Sequence, residues 1–485
     1  MLNTHTSASP PSTNSLIPTL EESSLLTDLY ELTMAACYTG EGLDQRKASF
    51  ELFVRRLPDG FSYLIAMGLE QVLDYLDAFQ FNEAQIQALQ ASGVFAQAPD
   101  RFWSLLESAR FTGDVWAVPE GTAMFAHEPL LRIEAPLWQA QILETYLLNT
   151  LNYQTLIATR AAQMRDVVGA DAKLLEFGSR RAFSPQASLW AARAALAAGF
   201  DGTSNVLAAL KLGQAPRGTM AHALVMALSA VNGSEDDAFT AFHRYFPGAA
   251  LLIDTYDVES AAQRLAAKVN AGEMTVEAVR LDSGDLVKLS KMVRSLLPHT
   301  QIFASGDLDA KEITRLKTKG AILNGYGIGT KLVTGSPVNG VYKLVDLDGI
   351  PTMKGATGKV TYPGRKQVFR HLDPYGQWQS DRLALMAESS SKISSVNIPS
   401  ANIHSSNDRL EDPIPLLEPF MKDGQRLTQP ESLEAIAQRT QTSVAQLPAS
   451  LRQVNSPAPP SPIISDALQD LTDQTRQRIQ TQYIR

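Results

Sequence analysis

The 485-residue chain has a single cysteine, Cys37, so an intrachain disulfide is impossible. Stability must come from a packed core, and a reducing compartment, the cytoplasm, is the expected setting. No run approaches the roughly 18–20 uncharged apolar residues of a membrane span. The first residues, MLNTHTSASPPSTNSL, lack the apolar stretch of a secretory signal. Positive charge is not in excess: 43 Lys and Arg face 51 Asp and Glu, a formal net charge of −8. That argues against nucleic acid or an anionic membrane as partner, yet leaves room for a small anion held by local cations in a cleft. Several signatures are also missing. There is no GxxxxGK[ST] loop, since 355–359 (GATGK) has the wrong spacing. Gly325, Gly327 and Gly329 alternate as GxGxG rather than GxGxxG. Without HExxH or a Cys/His cluster, a structural zinc is not expected.

What is present is ordinary globular composition, 44% hydrophobic and 19% charged, with enough chain for two domains or more. Residues 1–22, rich in Ser, Thr and Pro, read as a disordered tail. Asp28 is placed to cap a short helix bearing Tyr30, Leu32 and Met34. Residues 48–55 (ASFELFVR) read as a strand, 65–78 and 83–91 as helices, and 113–135 as short strands. A long helical stretch follows over 137–168, with Leu137, Ala140, Leu143, Leu147 and Leu151 on one buried face. Residues 23–140 therefore read as the first part of an α+β domain. Residues 346–412 return to it, with a flexible loop at 387–412. Residues 413–485 read as a helical segment.

From about 170 to 345, within a barrel domain expected over 141–345, the pattern changes. Short apolar runs recur, each ending in small, polar or charged residues: 174–179 (LLEFGS), 202–205 (GTSN), 218–222 (GTMAH), 251–257 (LLIDTYD), 279–285 (VRLDSGD), 302–307 (IFASGD) and 323–330 (LNGYGIGT). One small or polar residue per run falls at 176, 204, 222, 254, 282, 307 and 329, in steps of 18 to 32 residues. A strand, a helix and two short loops consume about that much chain, as in an α/β barrel of about 250 residues. An irregular α/β barrel is the expectation, and a doubly wound open sheet remains the alternative. In both, ligands bind at the C-terminal strand ends, so these polar residues should meet in one pocket.

Each candidate has a plainer reading beside it. His222 lies in an apolar run, where a histidine is commonly core. At a strand end it can instead act as base or nucleophile, with Asp254 to orient it. Asp254 alone reads equally well as a helix cap. Arg280, Asp282, Ser283, Gly284 and Asp285 gather a cation, two acids and a close-approach glycine, suited to a carboxylate, a ribose hydroxyl or Mg²⁺. A solvated turn would use the same residues. Gly306, Asp307 and 325–330 (GYGIGT) offer backbone N–H groups for phosphate, with Lys331 beside them. Phe177, Arg180 and Arg181 pair an aromatic face with guanidinium groups, a suitable bed for a flat heteroaromatic anion. Tyr30, on pattern alone, reads as core.

Taken together, TDLYELTMA, FELFVRRLPDGFSYLIAMGLEQ, EGTAMFAHEPLLRIEAP, LLEFGSRRAFSP, GTMAHALVMA, LIDTYD, VRLDSGDL, IFASGDLD, GYGIGTKLVT and GKVTYPGRKQVFR resemble the nicotinate phosphoribosyltransferases. The resemblance runs from about residue 25 to 370. It implies an irregular α/β barrel with a second domain built from both chain ends. It implies the substrates nicotinate, phosphoribosyl pyrophosphate and ATP, with Mg²⁺ required at ligands the sequence leaves unknown. By resemblance His222 is phosphorylated and Asp254 holds its ring. Arg280, Asp282 and Ser283 line the base and ribose site. Gly306, Asp307, Gly327, Gly329 and Thr330 surround the ribose and its phosphate. Phe177 and Tyr30 sandwich the pyridine ring, the tyrosine coming from the other subunit of a homodimer, and Arg180 contacts phosphate or carboxylate nearby. Ser204 stands where the related nicotinamide enzymes carry aspartate, and its hydroxyl can donate to a carboxylate that an aspartate would repel. A nicotinamide- or quinolinate-using relative, an inactive binding protein and a barrel hydrolase are the rival readings.

Overall fold

The computed structural model describes residues 16, 18–354, 361–388, 412–453 and 459–483. Nearly all of the loop expected at 387–412 and most of the tail expected at 1–22 lie outside the described residues. The described end of that tail turns at residues 20–22 into a short 3-10 helix, Ser23–Leu25.

An antiparallel sheet is woven from both ends of the chain. Its strands lie in the order Ile350–Pro351, Gly340–Leu347, Lys47–Val54, Pro129–Pro136, Asp114–Ala117, Glu418–Lys422 and Gln425–Arg426. Burial does not alternate along Lys47–Val54, where every residue after Lys47 is buried, because both of its faces are covered. Glu51 on this strand is fully buried. Burial of an acid requires compensation, which Lys366 supplies through its Nζ at 2.8 Å and its backbone N–H at 2.9 Å. A four-stranded sheet of Ile414–Pro415, Lys366–Leu372, Trp378–Leu385 and Ile463–Ile464 adjoins it in the chain. Residues 413–485 thus depart from the helical expectation. They contribute strands to both sheets besides the helices Leu433–Gln446 and Asp466–Tyr483. Those strands are too short to leave a periodic signal.

The expected helix over 65–78 begins only at Leu69, because Gly68 takes φ +107° and Leu64–Ile65 pairs with Ala123–Met124. Asp28 stands at the N-cap of Leu29–Gly40, but its carboxylate accepts from the Thr145 hydroxyl at 2.9 Å rather than from a helix N–H.

Six parallel strands form the second body, in the order Gly202–Thr203, Lys173–Glu176, Gly325–Ile328, Gln301–Gly306, Ala278–Leu281, Leu251–Leu252. Helices such as Pro185–Ala197, Val258–Asn270, Leu286–Leu296 and Ala310–Thr318 return the chain between them. Six of the seven expected run ends are C-terminal ends of these strands. The seventh, 218–222, is not a strand. It crosses the seam between the two edges of the sheet: Arg217 N–H donates to Thr203 C=O at 2.8 Å, and the Thr219 hydroxyl donates to Ala250 C=O. The irregular barrel expected from spacing is a curled parallel sheet whose seam is spanned by an irregular segment, with no ladder across the seam among the described residues.

The helical stretch expected over 137–168 is divided at Leu143 into Leu137–Ile142 and Glu144–Val168. Leu137, Ala140, Leu143, Leu147 and Leu151 are all buried. Glu144–Val168 joins the two bodies. Thr159 Oγ1 accepts from Ile65 N–H at 2.9 Å, and Tyr153 OH donates to Val333 C=O at 3.3 Å. Arg193 of Pro185–Ala197 adds a second tie, donating to the two oxygens of Glu120 at 3.0 and 2.6 Å. No helix among the described residues is long and apolar enough to cross a membrane.

Candidate active site

The C-terminal strand ends open into a cavity of about 840 Å³. Phe177, Arg180, Ser204, His222, Arg280, Asp282, Gly306, Asp307, Gly327, Gly329 and Thr330 line it. These residues come from every strand end but one, plus the seam segment, which is what parallel strands in one curled sheet impose.

His222 closes the seam segment as the first residue of the helix His222–Asn232, and is not at the end of a strand as expected. Its Nδ1 lies 3.1 Å from Thr255 Oγ1, and its Nε2 lies 4.0 Å from Asp254 Oδ1. Asp254 therefore faces the imidazole at ion-pair range, while Thr255 holds the closer hydrogen bond. Asp254 does not line the cavity. Its side chain is 1% exposed, and Oδ2 accepts from Asp282 N–H at 2.9 Å and Ser283 Oγ at 2.7 Å. Oδ1 has no hydrogen-bond partner among the described residues. Ser283, expected in the base and ribose site, instead spends its hydroxyl on Asp254. Asp282 is held in turn by Ser305, whose hydroxyl donates to Oδ1. The chain of contacts His222, Asp254, Asp282, Ser305 crosses three neighbouring strand ends.

The aromatic wall is built on glycine. Gly325 and Gly327 face inward on Gly325–Ile328, and a Cβ on either would overlap the ring of Phe303 or Phe177. The GxG alternation is thus the two-residue period of a strand on which two rings lie. Arg280 sits with its Cζ 6.0 Å from the Phe177 ring centroid. Burial pushes its guanidinium below the ordinary value, and the anions of Asp282 and Asp254 oppose that. Its Nε is buried without a hydrogen-bond partner among the described residues. Beneath Phe177, buried Glu176 accepts from Gly178 N–H and the Thr203 hydroxyl. Burial raises its carboxyl, those hydrogen bonds opposing. Ser204 N–H donates to Glu176 C=O at 2.9 Å, which fixes Ser204 beside the ring.

On the far side, Gly306 adopts φ +111°, and a Cβ there would lie 2.8 Å from the Asp282 carbonyl. Only glycine lets the two turns approach so closely. Gly329 leads into the single turn Thr330–Val333. Arg180 and Arg181 are exposed at the rim. Tyr30, like Asp254 and Ser283 among the expected residues, does not line the cavity of its own chain. It is exposed, near Asp28, Glu31 and Glu144, and its hydroxyl is raised by partial burial and then by those anions.

Thr255, Ser305 and Thr203 carry the site's geometry and were not among the expected site residues, while Glu176, expected to join the pocket, supports it from beneath instead of lining it. Ser305 was readable: with Phe303 and Asp307 it falls on one face of a period-two strand. Thr255 stands next to Asp254 but has no distinguishing pattern.

Three family models match in chain order: the nicotinate phosphoribosyltransferase N-terminal domain over 25–152, the nicotinate phosphoribosyltransferase family over 172–339, and the nicotinate phosphoribosyltransferase C-terminal domain over 365–472. The chain belongs to the nicotinate phosphoribosyltransferase family. A nicotinate phosphoribosyltransferase of Mycobacterium tuberculosis is 39% identical over 457 residues, 92% of each chain. That of Bacillus subtilis is 41% identical over 386 residues, 75% of this chain and 76% of its own. The crystal structure of human nicotinic acid phosphoribosyltransferase superposes with a TM-score of 0.78 at 30% identity, covering 92% of this chain and 99% of that one. A nicotinate-nucleotide pyrophosphorylase from Pyrococcus furiosus shares the fold, with a TM-score of 0.70 at 23% identity. Within the nicotinate phosphoribosyltransferase framework the cavity residues all lie in 172–339, whereas Tyr30 lies in the N-terminal domain.

Proposed function

We propose that this chain condenses nicotinate with 5-phosphoribosyl 1-pyrophosphate to nicotinate mononucleotide and pyrophosphate, in NAD salvage, and couples the reaction to ATP hydrolysis through a phosphohistidine at His222. The observation that carries this reading is the meeting in one cavity of the Phe177 ring, the His222 imidazole, the half-buried Arg280 guanidinium and the small-residue turns at Gly306 and Gly329.

In the proposed reaction the bond from ribose C1 to the pyrophosphate oxygen breaks while the ring nitrogen of nicotinate bonds to C1. Positive charge develops on the sugar and negative charge on the leaving group. The residues act by position and electrostatics. Phe177 stacks the base. Ser204 donates to its carboxylate. Arg280 and Asp282 line the base and ribose, and Asp254 and Ser283 hold the Asp282 turn. Gly306, Asp307, Gly327, Gly329 and Thr330 enclose the ribose phosphate, and Arg180 meets phosphate at the rim. Mg²⁺, when bound, neutralises the pyrophosphate. Asp282 and Asp307 are the carboxylates in the cavity that can share it with substrate oxygens, and no cluster of three or more His, Cys, Asp or Glu among the described residues offers a fuller cage.

ATP passes its γ-phosphoryl group to a ring nitrogen of His222, releasing ADP, and water later cleaves the P–N bond. The added charge changes the pyrophosphate side of the cavity between the two states. We take the working unit to be a homodimer in which Tyr30 covers the base in its partner's cavity, opposite Phe177. The test is incubation with nicotinate, phosphoribosyl pyrophosphate, Mg²⁺ and ATP, following mononucleotide and ADP together. His222→Ala should lose ATP stimulation and keep some basal transfer. Equal stimulation in variant and wild type would refute the role of His222.

A further inference from the structure

Arg217 stands where the mouth cavity meets the bore of the curled sheet. A second cavity, about 620 Å³, extends from the mouth toward the N-terminal strand ends at Lys173 and Gln301. Phe177, Arg217, Gly218, Arg280 and Gly327 line both. His222, Asp282, Gly306 and Asp307 line only the mouth. The two volumes therefore join at the face of Phe177, with the residues proposed for sugar chemistry on one side.

The arginine is held at this junction. Its backbone is fixed to the seam by the Thr203 carbonyl at 2.8 Å. Its stem lies across Gly202, where a Cβ would fall 2.5 Å from Arg217 Cγ. Its guanidinium has no ion pair and no hydrogen bond among the described residues. Lys173, toward the far end of the bore, is already matched. It pairs with Asp201 at 3.2 Å, and Asp201 also accepts from Arg165 and from Leu174 N–H. Arg280 has Asp282 and Asp254 nearby. Arg217, an exposed residue, is thus a cation that lines both cavities with no anion at ion-pair distance among the described residues.

A pyridine resting on Phe177 with its ring nitrogen toward the mouth turns its 3-substituent toward the throat. Resting on the proposed phosphoribosyl transfer, we propose that Arg217 reads the carboxylate of the base and sets the preference for acid over amide. Ser204 can donate one hydrogen bond but carries no charge. A planar guanidinium supplies both the charge and a fork that matches a carboxylate.

The experiment measures kcat and KM for nicotinate and for nicotinamide in wild type, Arg217→Ala and Arg217→Lys at saturating phosphoribosyl pyrophosphate, with melting curves for each. A charge-assisted hydrogen bond corresponds to about ten- to a hundredfold in binding. Arg217→Ala should raise the KM for nicotinate by that factor, leave the KM for phosphoribosyl pyrophosphate in place, and collapse the acid-to-amide ratio of kcat/KM. Arg217→Lys should recover part of the loss. An unchanged nicotinate KM, or equal losses for acid and amide, overturns the proposal. If the wild-type chain transfers nothing to nicotinate, the proposed function falls instead. Arg217 is then judged by calorimetric titration of nicotinate alone: a weaker Kd in Arg217→Ala sustains it, and an unchanged Kd overturns it.

Discussion

Replacing Asp254 by asparagine separates its charge from its scaffolding. Asp254 Oδ2 accepts from Asp282 N–H and Ser283 Oγ, and Oδ1 faces His222 Nε2 at 4.0 Å. Asparagine has one oxygen, and the two donors will keep it. Its NH₂ must then occupy the Oδ1 position, so the turn survives while the anion beside the imidazole is lost. Two unit charges 4 Å apart interact by about 4 kcal/mol at an effective dielectric of about 20. The His222 side chain is 40% exposed, and solvent screening reduces that to about 1–2 kcal/mol. The prediction is that Asp254→Asn lowers the ATP-stimulated increment in mononucleotide formation by about five- to thirtyfold, and the ATP-free rate by less. Initial rates with and without ATP, together with the yield of phosphorylated His222, measure both. A wild-type increment, or equal losses with and without ATP, would show that the carboxylate serves the turn alone.

Further outcomes follow from the same geometry. Gly327→Ala places a methyl against the Phe177 ring, with Ser305 Cβ 3.4 Å away on the other side. It should raise the KM for nicotinate by about tenfold or more through displacement of the ring, and a normal KM with a normal melting curve would remove Phe177 from the base site. Ser204→Asp sets a second anion beside the carboxylate, and kcat/KM for nicotinate should fall about a hundredfold or more relative to nicotinamide. Retained preference for nicotinate would contradict the assignment of Ser204. Glu31 is pushed up from 4.5 to about 7, chiefly by burial and further by Glu144, against hydrogen bonds from Thr145 and Thr27. Its folded value exceeds its unfolded one, so its contribution to stability is complete below about 4.5 and is lost as pH rises toward 7. Glu31→Gln, which does not titrate, should flatten the decline of Tm across that window, and parallel curves for the two proteins would refute the shift.

The strand ends were legible because small and polar residues must follow an apolar parallel strand that opens on a ligand. That regularity located Phe177, Ser204, Asp282 and Asp307 without coordinates. It misplaced His222, since the GTMAH segment has the composition of a strand end but lies where the sheet has its seam. It also could not separate lining from support. Asp254 and Ser283 look as available as Asp282 in sequence, yet a single hydrogen bond turns Ser283 away from the cavity. The hydroxyls of Thr203 and Thr255 were unreadable as site residues because threonine is equally at home at any turn. Two-residue strands such as Gln425–Arg426 and Ile463–Ile464 depend wholly on distant partners, and local periodicity cannot register them.

The weaving of the antiparallel sheet has a temporal side. Glu51 is sealed in the core against Lys366, which is synthesised 315 residues later. At ribosomal speeds of about 5–20 residues per second, that delay is roughly a quarter of a minute to a minute. Throughout it the edge of Lys47–Val54 that will receive Gly340–Leu347 stays unpaired, and a carboxylate destined for burial has no cation. The nascent chain must therefore be kept from joining foreign strands until its final quarter emerges, and fragments ending before residue 340 are expected to aggregate.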